Sequence, residues 1–354
     1  MPGALAIMTK RFLPTATLET LQLRSQLMMW LRSFFLQNGY WECETPILSH
    51  EIVIDANLDP FVTHDVTGGP YYLQTSPEAG MKRLLSAGAT SIFQISRVMR
   101  RGESGRFHNP EFTMLEWYRV NDDHHDQMAF VERLVRAFYE QAGRSEAEHS
   151  SVECRPELPQ QPFEKLTYDE AFERFAGTRV LHLTTDELRE LAEKHQLDCP
   201  SSLTPDDRDG WLNLLLVELV DPHLGRDAPQ FIYDYPPSQA ALAKIRRSPA
   251  DSKLPGSQHD VAERFELYDR GVELCNGYHE LADPVELSAR FETEKTCSGF
   301  AEHKDLPGAP LLESALFEGF PDCSGVALGL DRLVMLAIGK TDIRDVIAFP
   351  ADRA

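Results

Sequence analysis

The sequence predicts an α+β fold, an antiparallel β-sheet flanked by helices, carried as a single domain over residues 1–354. Three observations predict it. Two apolar, β-favouring runs, residues 91–96 and 112–118, bracket a charged, glycine-bearing tip at residues 100–110, the pattern of two antiparallel strands joined by a long loop. A second pair of runs, residues 264–269 and 272–276, flanks Arg270-Gly271, a hairpin-like turn. Helical patterns fall among these strands without regular βαβ alternation, which argues against a parallel sheet. The length allows one large core or two smaller ones.

Taken in order, Thr17 begins a helical pattern with Leu21, Leu27, Leu31, Phe34 and Phe35 on its apolar side, closed by Gly39. Residues 40–46, YWECETP, read as a strand that stops at Pro46. This apolar helix-then-strand pair suits a subunit interface or a plain core equally. Residues 71–74 predict a short strand. Ser76 as N-cap and Pro77 at the first helical position then open a helix that Gly88 ends. Asp122 and Asp123 precede a helix running to about Glu140. Residues 143–161 lose periodicity and collect Ser, Glu and Pro, which marks a surface linker. Two capping boxes follow, Thr167 with Glu170 and Thr184 with Glu187. A helix over residues 206–219, a strand over 231–235 and a polar, variable loop over 246–258 come next. Helices at 285–294 and 309–318 precede a small-residue strand from Val326 that passes through Gly329 into the helix 330–338.

A net charge of −21 excludes a general nucleic-acid binder, since such binding depends on counterion release by Lys and Arg. The six cysteines, Cys43, Cys154, Cys199, Cys275, Cys297 and Cys323, form no CxxC pair and suggest reduced thiols in the cytoplasm. An apolar patch at residues 4–8 is followed, not preceded, by Lys10 and Arg11, the wrong order for a secretory signal. The most apolar later stretch, residues 211–220, contains Asn213 and Glu218 and is too short to span a bilayer, so no membrane association is expected.

Several residues carry chemistry. Arg100, Arg101, Arg106 and His108 crowd onto the first loop of an acidic chain, which fits either a solvated tip or a small phosphate ligand. Glu78 reads equally as a first-turn charge or as a ligand for an amino group. Glu266 and Glu273 lie on the two strands of the second hairpin and can converge on one face. There they would suit Mg²⁺ bridging a polyphosphate, or would simply be exposed charge. Glu280, in Asn276-Gly-Tyr-His-Glu280, is placed for a cationic ligand. Arg332, just after Gly329, can stack on a flat ring or bind phosphate. Neither GxxxxGK[ST] nor a GxGxxG following a strand occurs, so no P-loop or Rossmann site is indicated.

Together these stretches resemble the three signature motifs of class II aminoacyl-tRNA synthetases. The helix with Gly39 and Glu44-Thr-Pro46 resembles motif 1, the dimer-interface motif; residues 97–118 resemble motif 2; residues 325–332, GVALGLDR, resemble motif 3. RFHNPEFTMLEWY, ELCNGYHEL and GVALGLDRLVMLAIG are similar to the lysyl branch. That branch carries an N-terminal anticodon-binding OB domain, for which a motif 1 helix beginning near residue 18 leaves no room. The expectation is therefore a truncated paralogue, one that modifies elongation factor P, with no anticodon-dependent tRNA binding. His279-Glu280 and Ala327, where lysyl enzymes usually have glycine, point the same way; the extra methyl reshapes the amino-acid pocket.

The resemblance implies ATP-dependent activation of (R)-β-lysine, or of lysine, and transfer to a lysine ε-amino group of elongation factor P by a homodimeric ligase. Aminoacylation of tRNA, or a silent paralogue that binds lysine and ATP, are the alternatives. It implies catalytic roles for Arg100 and Arg332. Ser76, Pro77, Glu78, Glu116, Tyr118, Asn276, Glu280 and Ala327 would bind the amino acid. Arg100, Arg101, Gly102, Glu103, Arg106, His108, Asn109, Phe112, Glu273, Leu274, Gly329 and Arg332 would bind ATP, with adenine sandwiched by Phe112 and Arg332. Glu266 and Glu273 would hold Mg²⁺. Motif 2 usually reads Arg-Asn-Glu. Ungapped alignment places Arg100-Arg101-Gly102 there, and a shift by one places Arg101-Gly102-Glu103. Arg100 keeps the spacing to His108-Asn109 and is the favoured register, with Glu103 available to supply the carboxylate.

Overall fold

The computed structural model describes residues 11–56, 58–146, 158–201, 203–248, 258–297 and 305–354. The Thr17 hydroxyl accepts from the Thr20 N–H and opens helix α1, Leu18–Gln37. Leu23, Leu27, Leu31 and Phe35 are buried at a spacing of four, one stripe of the helix. The strand predicted at 40–46 shortens to β1, Trp41–Glu42. Strands β2 (Leu48–Ser49), β3 (Val62–His64) and β4 (Pro70–Leu73) form a small sheet in the order β2-β4-β3. Helix α2, Glu78–Ser86, begins one residue later than predicted. Pro77, at φ −77° and ψ 2°, sits outside the helical well and is the N-cap, with no side-chain cap. The Ser76 hydroxyl reaches only the Glu78 N–H, at 3.4 Å.

The central hairpin forms as predicted, from β5 (Ser91–Met99) and β6 (Glu111–Val120). Helix α3, His124–Glu146, extends past its predicted end, so residues 143–146 of the expected linker are helical; residues 147–157 lie outside the described residues. Strand β7 (Glu164–Thr167) leads into α4 (Tyr168–Ala176) and α5 (Thr185–Lys194), both opened by the predicted capping boxes. Helix α6 (Arg208–Leu215) continues as a π-helical turn, Leu216–Val220, before strand β8 (Gln230–Tyr235). Strand β9, Ile245–Arg247, corrects the predicted loop at its start. There Arg247 pairs with Asp260 across the ladder at 3.2 Å, and Arg246 reaches Glu263 at 3.0 Å, so cross-strand charge favours pairing. Residues 249–257 of that loop lie outside the described residues. Strands β10 (Asp260–Asp269) and β11 (Val272–His279) turn through Arg270 and Gly271, at φ 55° and 74°, the two left-handed residues a tight hairpin requires. Helices α7 (Pro284–Cys297) and α8 (Pro310–Glu318), strand β12 (Cys323–Gly329) and helix α9 (Leu330–Ala337) complete the chain.

The chain divides into two compact units. The first comprises residues 1–121, 130–158 and 282–354, and its main strands run in the order β1-β5-β6-β12. Its core stacks Phe35 on Phe93 at 4.6 Å between ring centroids, with Trp117 edge-on to Phe35 at 5.3 Å. The second comprises residues 122–129 and 159–281, with strands in the order β11-β10-β8-β7 and β9 on β10. Tyr168, Phe172, Leu212 and Ile232 lie at the centre of its core. The fold is α+β, with one correction: β1 runs parallel to β5 and β7 parallel to β8. In the β7–β8 case three helices intervene, the long crossover that a parallel pair needs.

Candidate active site

In the first unit the site is built on one face of β6. Residues directly opposite across a ladder point to the same side. Glu116 faces Ala327 of β12, Tyr118 faces Gly325, and Met114 faces Gly329. The three residues that β12 sets against this face, one of them opposite a buried carboxylate, are thus all small. Glu116 is 2% exposed and accepts from the Tyr118 hydroxyl at 2.6 Å. Asp331 fixes the turn from β12 into α9. It is fully buried, accepts from the Thr113 N–H at 2.8 Å and pairs with Arg24 at 2.5 Å. That clamp presents Arg332, whose Nη2 donates to His108 Nε2 at 2.7 Å and whose Nε donates to the Phe107 carbonyl at 3.2 Å. Burial, then the adjacent Arg332 guanidinium, hold His108 below its ordinary range, so it is a neutral acceptor at pH 7.

The loop residues divide by partner. The Arg100 guanidinium lies over the Phe112 ring at 5.1 Å, donates to the Thr75 carbonyl at 3.2 Å and meets Glu103 at 3.4 Å. Arg101 turns instead to Asp59, pairing through its side chain and, by its N–H, with the Asp59 carbonyl at 2.7 Å. Gly102 takes the left-handed conformation, φ 82°, that the loop reversal requires. Arg106 donates to the Thr341 carbonyl at 2.6 Å. Asn109 is buried, and both ends of its amide are engaged by main chain: Nδ2 donates to the Glu111 carbonyl at 2.6 Å, and Oδ1 accepts from the Ala351 N–H at 3.0 Å. Glu78 pairs with Lys82 at 2.6 Å, and that lysine side chain is 3% exposed.

In the second unit, Glu266 is buried and accepts from Arg264 at 2.6 Å, from the Tyr268 hydroxyl at 2.7 Å and from Asn276 Nδ2 at 3.4 Å. Glu266 lies opposite Asn276, and Glu273 opposite Tyr268, because the ladder slips by one at Leu274. Without that β-bulge Glu273 would face Asp269 and point to the other side of the sheet. The predicted convergence of Glu266 and Glu273 on one face therefore occurs, through a bulge. Asn276 Oδ1 is buried with no hydrogen-bond partner, and Glu280 is 1% exposed. A third carboxylate joins the acidic pair. Burial, then the charges of Glu266 and Glu273, push Asp221 up to about 7. Its Oδ1 is buried with no hydrogen-bond partner.

The family model for tRNA synthetases class II (D, K and N) matches residues 8–353. The chain belongs to this class II synthetase family. It is 42% identical over 354 residues to the elongation factor P–(R)-β-lysine ligase of Salmonella dublin, covering 98% of this chain and 99% of that one. The corresponding ligases of Salmonella paratyphi B and Salmonella heidelberg match to the same extent. Membership of the class II synthetases, with the named ligase relatives, makes this chain a ligase.

The acidic group of this synthetase fits a hard divalent cation. Its donors are carboxylate oxygens, and both the burial and the repulsion from Glu266 and Glu273 that raise Asp221 are costs a bound cation relieves. Sequence reading missed Asp221, Arg24 and Asp331's partners. Asp221 lies just past the apolar stretch 211–220 and the end of the expected helix, a single carboxylate before Pro222 with no pattern of its own. Arg24 sits on the polar side of α1, where its pairing with Asp331 has no local signature.

Proposed function

We propose that the chain, as a single catalytic domain over residues 1–354, activates (R)-β-lysine with ATP and transfers the β-lysyl group to a lysine ε-amino group of elongation factor P in the cytoplasm. The observation that carries this reading is the β6 face, where Glu116 and Tyr118 stand opposite Gly325, Ala327 and Gly329. A buried carboxylate that faces small residues suits an ammonium group, and the Ala327 methyl takes up room that a glycine would leave.

In the first step a carboxylate oxygen of the amino acid attacks the α-phosphorus of ATP. An O–P bond forms, the bond to the β-phosphate oxygen breaks, and pyrophosphate leaves. Arg100 stabilises the charge that develops on the α-phosphate, and Phe112 and Arg332 take the two faces of adenine. His108 and Arg106 serve the outer phosphates, alongside the backbone of Gly102, Asn109, Leu274 and Gly329. Glu116, Tyr118, Asn276 and Glu280 bind the amino acid, with Ser76 and Pro77 shaping its entrance. Glu78 has the smaller share, because Lys82 already neutralises it. Glu266 and Glu273, with Asp221, would hold Mg²⁺, which when bound neutralises phosphate charge. In the second step the acceptor amine attacks the acyl carbon. A C–N bond forms, the C–O bond to phosphate breaks, AMP leaves, and the amine loses a proton.

A homodimer through α1 is consistent with its exposed Leu18, Met29 and Leu36. Among the described residues no helix is long and apolar enough to cross a membrane. ATP–pyrophosphate exchange with α-lysine and (R)-β-lysine, followed by transfer to elongation factor P or to tRNA, tests the reading. Faster exchange with (R)-β-lysine and transfer to the protein are expected. No exchange with either amino acid would sink the enzyme, and transfer to tRNA alone would sink the acceptor.

A further inference from the structure

A second cluster of metal-ligating side chains lies within the second unit, apart from the Glu266 and Glu273 pair. One ligand atom each from His124, Glu263 and His279 falls within 4.8 Å of the others. His124 stands in the first turn of α3. Asp123 caps that turn, its Oδ1 accepting from the His125 N–H at 2.7 Å and the Asp126 N–H at 2.9 Å. The His124 side chain is 2% exposed, and neither ring nitrogen has a hydrogen-bond partner. A buried imidazole carries one donor and one acceptor, and leaving both unmade costs the fold their full desolvation. Burial, more than any neighbouring charge, drives His124 down to about 3, so it is neutral, the form that binds a metal.

The sheet delivers the other two. Between Ala262, opposite Tyr235, and Phe265, opposite Tyr233, two residues of β10 face the single residue Asp234, a bulge that re-aims Glu263. Arg246 holds Glu263 Oε1 at 3.0 Å, while Oε2 accepts from His279 Nδ1 at 2.5 Å. The Lys244 ammonium donates to His279 Nε2 at 3.0 Å. Both bonds of His279 are met by one neutral tautomer, with its proton on Nδ1. Asp234, buried and at φ 60°, places Oδ1 at 3.9 Å from His124 Nε2.

We propose that His124, Glu263 and His279 form a binding site for one divalent transition-metal ion of the zinc and cobalt class, with Asp234 as the nearest further oxygen. Two imidazoles and one carboxylate suit such ions, whereas Mg²⁺ and Ca²⁺ prefer sites made of oxygen. Arg246 and Lys244 balance the charges of Asp234 and Glu263, which further disfavours a hard cation held by charge alone. The ion takes Nδ1 of His279: the Nδ1 proton leaves to solvent, Nε2 takes a proton from the Lys244 ammonium so that the ring stays neutral, and binding releases one proton in all. Lys244 remains the outer partner that orients the His279 ring. The bound ion ties the start of α3 to the β10–β11 hairpin.

The test uses the full chain, stripped with chelator and titrated with Zn²⁺ in excess Mg²⁺, with visible absorption of the Co²⁺ form as a second readout. One ion per chain is expected, together with a raised melting temperature. His124→Ala and Glu263→Gln should each weaken binding by about 10–100-fold. Glu263→Gln keeps the shape of the side chain and carries the comparison if His124→Ala does not fold. A stripped wild-type chain that takes up no Zn²⁺, or a Glu263→Gln chain that binds as tightly as its parent, overturns the site.

Discussion

The two units hold opposite charge, and they hold it differently. In the first, the cations sit on a loop and a helix start, partly exposed: Arg100 over Phe112 and against the Thr75 carbonyl and Glu103, Arg332 against His108 and the Phe107 carbonyl. In the second, the carboxylates sit within a bulged hairpin. Glu266 is buried and accepts from three side chains at once. A loop-borne cation is free to follow a reacting phosphate and contributes little to folding. A strand-borne carboxylate is fixed in advance, and the fold depends on it.

The largest expected effect tests that dependence. Glu266→Ala leaves the Arg264 guanidinium buried without its carboxylate, and removal of one partner from a buried pair costs about 3–5 kcal/mol. Urea denaturation measures it; a loss no greater than that of a surface substitution would erase the contrast. Next, Arg100→Ala should leave the denaturation midpoint nearly unchanged while slowing pyrophosphate exchange by about 100–1000-fold. Arg101→Ala, which removes the ion pair to Asp59, should slow it less. A larger loss for Arg101 would transfer the motif 2 role to that residue.

The smallest effect concerns Asp221, whose carboxyl is raised to about 7 by burial and by Glu266 and Glu273. In the unfolded chain an aspartate titrates near about 4. Between those values the native state holds more protons than the unfolded one, so stability falls as pH rises. Asp221→Asn should flatten that slope, and Mg²⁺ should flatten it in the parent. An unchanged slope in Asp221→Asn would remove this residue from the acidic group.

Local chemistry was legible. Thr167 with Glu170 and Thr184 with Glu187 form both capping boxes, because each needs only residues three apart. Arg270-Gly271 makes the hairpin turn for the same reason. The family motifs pointed to Phe112, Glu116 and Arg332. What pattern reading lacked were the long-range partners. Asn109 reads as a ligand residue until Ala351, remote in sequence, engages its amide. Glu78, which reads equally as a first-turn charge or a ligand for an amino group, also has a near partner, Lys82 four residues on, whose burial the spacing does not show. Ser76 reads as a cap until Pro77 leaves the helical well. Asp221 has no local mark at all, since its character comes from its burial in the fold and then from charges on a different element.

The slip at Leu274 sets a parity rule for the hairpin. Which side of the sheet Glu273 serves is decided by whether the residues back to the turn number odd or even against the opposing strand. Identity can drift along this stretch while the carboxylate keeps its address. Gain or loss of one residue reverses that address without altering a single side chain, so the segment constrains length more tightly than composition.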